Sequence, residues 1–169
     1  MHFSEDPTIT IFEPHVAATS QQPEAYVWAL DLWQAPSYWF PRDCPRAMAW
    51  PNQDTTPDDL ARIIGPGGGE RVHAIEYGWL DRMRTASLYA YRFPAELFRP
   101  FGEPHPHAMV AVEPVMPLGP PEPVGDLLAL HAAACIQLRV LPNLWGFFDA
   151  VVASTLGFSG IRMRNARPR

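Results

Sequence analysis

Apolar and polar positions alternate in short runs along this chain, and prolines separate the runs. The sharpest is Ser87-Leu88-Tyr89-Ala90-Tyr91-Arg92-Phe93. Its period of two sets Leu88, Ala90 and Arg92 on one face and Tyr89, Tyr91 and Phe93 on the other. The same reasoning predicts strands at Tyr26–Leu30, Arg46–Trp50, Arg71–Glu76, Ile136–Leu141 and Met109–Val112, the last carried on towards Pro117. Helical spacing appears at Leu127, Leu128, Leu130 and His131, predicting a helix over Gly125–Ala134. A second amphipathic helix, Leu144–Leu156, gathers Leu144, Phe147, Phe148, Val151, Val152 and Leu156 on one face.

Local signals mark where other elements start and stop. Thr56-Pro57-Asp58-Asp59 supplies a hydroxyl cap, a proline at the first helical position and acids in the first turn. Leu60, Ile63 and Ile64 form that helix's apolar side, and Gly65-Pro66-Gly67-Gly68-Gly69 stops it. Pro36 confines any helix after Asp31 to a short piece beginning near Ala35 and ending at Tyr38. Ser4-Glu5-Asp6-Pro7 reads as a turn or a helix start, Trp79–Met83 as a short helical turn, and Pro120–Pro123 as a rigid connector. Six or seven strands and three or four helices result, without a clean βαβα alternation, so the expected class is α+β. One domain over residues 1–161, with a basic tail from Arg162 to Arg169, is the natural division of 169 residues.

Composition sharpens this picture. Twenty prolines in 169 residues exceed an average share of about 5%, which favours short strands and many loops over a helical bundle. The net charge of -5 and the lack of a basic run give no dedicated nucleic-acid surface. All thirteen basic residues are Arg, so Schiff-base and P-loop lysine chemistry are excluded. Only Cys44 and Cys135 carry sulfhydryls, and their spacing alone does not fix a disulfide. With no secretory pattern and no apolar run near the 18 residues of a membrane span, a cytoplasmic location is expected.

Most familiar chemical motifs are missing: no Gly-x-Ser-x-Gly, no Cys-x-x-Cys and no His-Glu-x-x-His. The glycine run at residues 65–69 follows a helix and has no lysine, so a surface loop is expected there rather than a phosphate cradle. His105 and His107, with Glu103, offer three metal-ligand types in a proline-rich loop but no fourth partner. His73 and His131 read as packing histidines. Cys44, flanked by Arg42 and Arg46, is a candidate nucleophile with no histidine beside it.

Three short motifs together resemble the ADP-ribosyltransferases of the diphtheria-toxin and poly-ADP-ribose-polymerase class. His2-Phe3-Ser4 is similar to that class's His-Gly-Ser/Thr opening. Val27-Trp28-Ala29 followed by Ser37-Tyr38 is similar to its aromatic-Ala strand and later tyrosine, and Val112-Glu113-Pro114-Val115 to its glutamate on a late strand. The resemblance implies a short-stranded split-sheet core with peripheral helices, and NAD as substrate. It further implies that His2 holds the adenosine-side ribose, that Tyr38 stacks on nicotinamide, and that Glu113 holds the nicotinamide ribose and stabilises its oxocarbenium-like transition state. Ser4, Tyr26, Ala29, Arg42 and Arg46 complete the implied cofactor-binding set. The acceptor is left open: protein, nucleic acid, small molecule or water.

The whole chain also resembles a bacterial family of small proteins with a Tyr-His-Phe-Ser-Glu-Asp-Pro opening and a Trp-Phe-Pro-Arg-Asp-Cys-Pro-Arg core. That family implies no activity. A rival to ADP-ribosyl transfer is a non-catalytic protein that binds a nucleotide or another flat anionic ligand, with Arg42 and Arg46 paired to phosphate. An RNA 2′-phosphotransferase, a third reading, is disfavoured by the acidic charge.

Overall fold

Ten strands and four α-helices form among the described residues, 1–16, 23–102 and 106–169 of this computed structural model. In chain order the strands are β1 (His2–Ser4), β2 (Val27–Ala29), β3 (Arg46–Trp50), β4 (Arg71–Glu76), β5 (Tyr89–Tyr91), β6 (Arg99–Phe101), β7 (Ala108–Ala111), β8 (Glu122–Pro123), β9 (Ile136–Leu141) and β10 (Gly157–Ile161). The helices are α1 (Pro57–Asp59), α2 (Leu80–Thr85), α3 (Leu127–Ala133) and α4 (Trp145–Val152). The class is α+β with small sheets, as the mixed element order implies.

Contacts divide the chain into two compact units, each assembled from separated segments. Met1–Trp39 and Ser87–Val124 make the first. It holds two three-stranded sheets, ordered β1-β5-β8 and β2-β7-β6, with every pairing antiparallel. Both prolines within these strands, Pro100 and Pro123, fall on edge strands, where no inward N–H is needed. β6 and β8 were not expected from sequence, because that same proline content reads locally as loop. Val27, Ala29, Tyr91, Phe93, Ala111 and Val115 form the core, with Phe12 and Ile9 packed against it. Tyr91 and Phe93, which the alternation sets on one face, both enter this core, but only Tyr89–Tyr91 pairs as strand.

Phe40–Ala86 and Gly125–Arg169 make the second unit, around a four-stranded sheet ordered β10-β3-β4-β9. β3 runs antiparallel to β4, and β9 runs parallel to it. Ala47, Ala49, Val72 and Ala74 point to one face and pack with Leu144, Phe147 and Val151 of the α4 region. Met48 and His73, paired in register, point to the opposite face, where α3 lies against the sheet.

The expected cap of α1 is present: Thr56 Oγ1 accepts the Asp59 N–H, and the helix widens over Leu60–Ile64 until Gly65, at φ 62°, ends it. α3 is capped by Asp126, whose carboxylate accepts from Leu128 and Ala129. Ser4–Pro7 forms a turn and no helix: Asp6 donates to Ser4 Oγ, and Thr8 donates to Asp6.

The strand β10 corrects the reading that placed no element between the helix ending at Leu156 and the tail from Arg162. Gly157 and Gly160 discourage a strand locally, yet both are needed in this one. A Cβ at Gly157 would lie 2.3 Å from the Trp50 indole nitrogen, and one at Gly160 would lie 2.5 Å from the Phe148 ring. Residues from Arg162 onward pack against this same unit. Met163 and Ala166 cover the Ala47–Ala74 cluster, Trp145 donates to Arg167 O, and Arg169 pairs with Asp149.

Candidate functional site

The first unit carries His2, Tyr38 and Glu113. β1 and β2 belong to different sheets, but backbone bonds stitch them at one end: Met1 N donates to Leu30 O at 2.7 Å, and Leu30 N donates to Met1 O at 2.8 Å. His2 adds a third tie, with Nδ1 3.0 Å from the Trp28 carbonyl oxygen. A carbonyl only accepts, so Nδ1 carries the proton, and in the neutral ring Nε2 is the acceptor. The ring also rests against Phe12, centroids 5.0 Å apart, and Phe12 stacks edge-on against Tyr91 and Phe93. The imidazole is therefore held both in plane and in tautomer.

Phe12 links His2 to the region of Glu113. It pairs with Val115 through both backbone bonds, Phe12 N to Val115 O at 2.9 Å and Val115 N to Phe12 O at 3.0 Å. Glu113 lies two residues before Val115. It is exposed and sits in a bend past the end of β7, which corrects the expectation of a glutamate on the strand itself. The bend follows from Pro114, whose missing N–H cannot extend the ladder. Tyr38, 36% exposed, closes a short 3-10 turn over Ala35–Tyr38. Asp31 caps the chain entering that turn by accepting the Gln34 N–H at 2.7 Å.

The other implied binding residues divide. Ser4 is buried, and its hydroxyl is turned to the Asp6 N–H. Ala29 points into the hydrophobic core, so only its backbone can face a ligand. Tyr26, just before β2, and Trp28 within it lie 5.8 Å apart between ring centroids, and pack with Phe101 at 5.5 and 5.1 Å. Arg99 stands over the Tyr26 ring and donates to its hydroxyl at 3.5 Å. Arg42 and Arg46 belong to the second unit. Arg42 is exposed, whereas Arg46 is 3% exposed, bonds the Cys44 carbonyl through Nη1 and lies over the Phe40 ring. Phe12, Phe101 and Arg99 were missed by the motif reading, which named Trp28 in its aromatic-Ala strand but gave it no part in the site. The Tyr26/Trp28 alternation was a usable signal for that part.

Several alternatives from the sequence are corrected or bounded. Cys44 is fully buried, and burial pushes its thiol up to about 12 against the pull of Arg46 and Arg82, so it is not a thiolate nucleophile at neutral pH. Cys44 and Cys135 are both free thiols. Glu103 and His105 lie outside the described residues; among those described, no group of three or more His, Cys, Asp or Glu is placed to hold a metal. The glycine loop is filled by protein. A Cβ on Gly67 would lie 2.1 Å from Gln137 Oε1, and one on Gly69 would lie 2.1 Å from Cys135 O.

The residue pattern spanning both units is a shared one. A family model described as a family of unknown function, DUF6886, matches residues 1–166. The chain belongs to the DUF6886 family. No curated protein and no solved structure matches it. The DUF6886 match runs from β1, with His2, through Ala166 of the packed C-terminal segment, so both units are part of the family's common sequence. No helix among the described residues is long and apolar enough to cross a membrane.

Proposed function

We propose that this DUF6886 protein binds NAD in its first unit and cleaves the bond between nicotinamide and ribose, as an ADP-ribosyltransferase-like enzyme. The observation that carries the reading is the fixed imidazole of His2. Its Nδ1–H is committed to the Trp28 carbonyl, so Nε2 is the acceptor for a ribose hydroxyl. Tyr38, the last residue of its 3-10 segment and partly exposed, offers a flat face to a pyridinium ring. Glu113 supplies the carboxylate that an oxocarbenium-like sugar needs.

In that reaction the C–N bond to ribose breaks, and its electron pair leaves with neutral nicotinamide. An acceptor nucleophile, water included, then bonds the sugar carbon and gives up its proton. Two free thiols, one of them exposed, suit a reducing cytoplasmic setting.

One observation favours a second reading, binding without cleavage: Glu113 is exposed in a bend, where water weakens its hold on a developing cation. A thermal-shift and nicotinamide-release assay separates the two. At NAD one hundredfold above its Kd, mass action stabilises the native state by about 2.7 kcal/mol. Cleavage predicts that Glu113→Gln keeps this stabilisation and loses release, and that His2→Ala loses both. Stabilisation with no release from wild type supports the binding protein. No shift at millimolar NAD overturns both.

A further inference from the structure

His73 and His131 are buried in the second unit at 0% and 1% exposure, and neither takes part in the proposed NAD site. His131 Nδ1 is 2.7 Å from the Leu127 carbonyl oxygen, so that nitrogen carries a proton. His131 Nε2 is then an acceptor, and it meets His73 Nδ1 at 3.0 Å. His73 Nδ1 must donate, which leaves His73 Nε2 as a bare lone pair. That atom is buried and has no partner among the described residues. Phe40 walls the pair, with ring centroids 5.5 Å from His73 and 5.0 Å from His131.

The pair is also a main attachment of α3. Only Leu127 and His131 of that helix are fully buried, one turn apart on the same side. Positive φ at Gly125 and Cys135 turns the chain sharply on either side of it. Half of the helix's inward anchoring is therefore an imidazole that packs only while neutral.

Charges around the pair oppose a proton. β3 contributes Arg46 and β4 contributes Arg71, and both lower the proton affinity of His73, after the larger effect of burial. On β9, Arg139 is turned away and donates to Ile64 O. From α2, Asp81 and Arg84 pair with each other at the surface, and Arg82 lies over Trp79. Glu76, on the opposite face of β4, accepts from Leu144 and Arg167. None of these places a carboxylate against the imidazoles.

We infer that the His73–His131 pair is an acid-sensitive latch that holds α3 on the sheet of the second unit and releases it when the histidines take up protons. A proton on His73 Nε2 puts an unpartnered N–H and a charge into a dry site. A second proton, on His131, sets two donors against each other. Both penalties vanish when α3 lifts and water reaches the rings.

Hydrogen exchange of the full chain, corrected for the intrinsic pH dependence of exchange, tests this between about pH 7.5 and about pH 5. Opening of α3 should rise about tenfold per pH unit below about 6.5 for each proton taken up, approaching two protons in wild type. His73→Asn keeps a donor to His131 Nε2 and removes one titrating site, so its slope should fall to one proton. Opening that is independent of pH, or a slope unchanged in His73→Asn, overturns the latch. Should that variant not fold, NMR titration of the wild-type imidazoles decides. Both rings are expected to stay neutral until α3 loses protection, and a ring that titrates near pH 6.5 while α3 stays protected overturns it.

Discussion

Glu76 receives the backbone N–H of Arg167 on both carboxylate oxygens, at 3.2 and 3.0 Å. The same side chain, 3% exposed, accepts the Leu144 N–H at the start of α4 at 3.1 Å. One buried carboxylate thus ties the end of β4 to a helix start and to the C-terminal segment, 68 and 91 positions away. Hydrogen bonds to a charged group are worth about 1.5–3 kcal/mol each. Glu76→Ala should therefore destabilise the protein by about 3 kcal/mol or more in urea unfolding, and trypsin should cut sooner at Arg162 and Arg164. A variant with unchanged cleavage would mean that the segment is held by Trp145 and Arg169 instead.

Tyr91 performs a similar task in the first unit. Its hydroxyl donates to Asp6 O at 2.6 Å and accepts from Ile9 N at 3.2 Å, tying the chain after β1 to the core. Tyr91→Phe keeps the ring and strands both partners. A loss of about 1–3 kcal/mol is expected, with faster amide exchange at Ile9. If His2 serves NAD, the same variant should weaken NAD binding through loosening of β1.

Thiol chemistry should distinguish the two cysteines. The exposed Cys135 should be alkylated by iodoacetamide at pH 8 within minutes. Cys44, buried and raised to about 12, should react only as the protein unfolds. Mass spectrometry of the labelled peptides checks this directly, and early labelling of Cys44 would refute its buried, protonated state.

Asp59 should act as an acid-labile clasp. Its carboxylate is hydrogen-bonded by Arg62 and by the N–H and hydroxyl of Thr155, which hold it down to about 2. A depressed carboxylate stabilises the fold above its ordinary value of 3.8, and that contribution is lost as pH falls from there towards 2. Asp59→Asn should lower the melting temperature near pH 7, where the contribution is fully present, and flatten the acid limb of the profile over this window.

Much of the fold was legible locally. The Thr56 cap, the glycine stop and the α3 and α4 patterns each rest on interactions within a few residues, and they formed near where the sequence placed them. The strands β6, β8 and β10 were not legible. Their prolines and glycines argue against a strand until an edge position or a neighbouring ring makes those residues suitable. The same limit applied to His73 and His131. Each reads alone as a packing histidine, and nothing in a 58-residue separation says that they bond each other with one nitrogen left over.

By itself, the sequence determined the α+β class, the absence of lysine chemistry, and the aromatic and carboxylate types available for a site. Only the tertiary structure decided which of them act together. It held His2 to Trp28, moved Glu113 off its strand, separated Arg46 from any exposed surface, and buried Cys44 away from water. The reason is physical. Propensity, caps and periodicity act over one or two turns of chain, whereas tautomer, burial and thiol acidity depend on whichever distant groups the fold brings within about 4 Å.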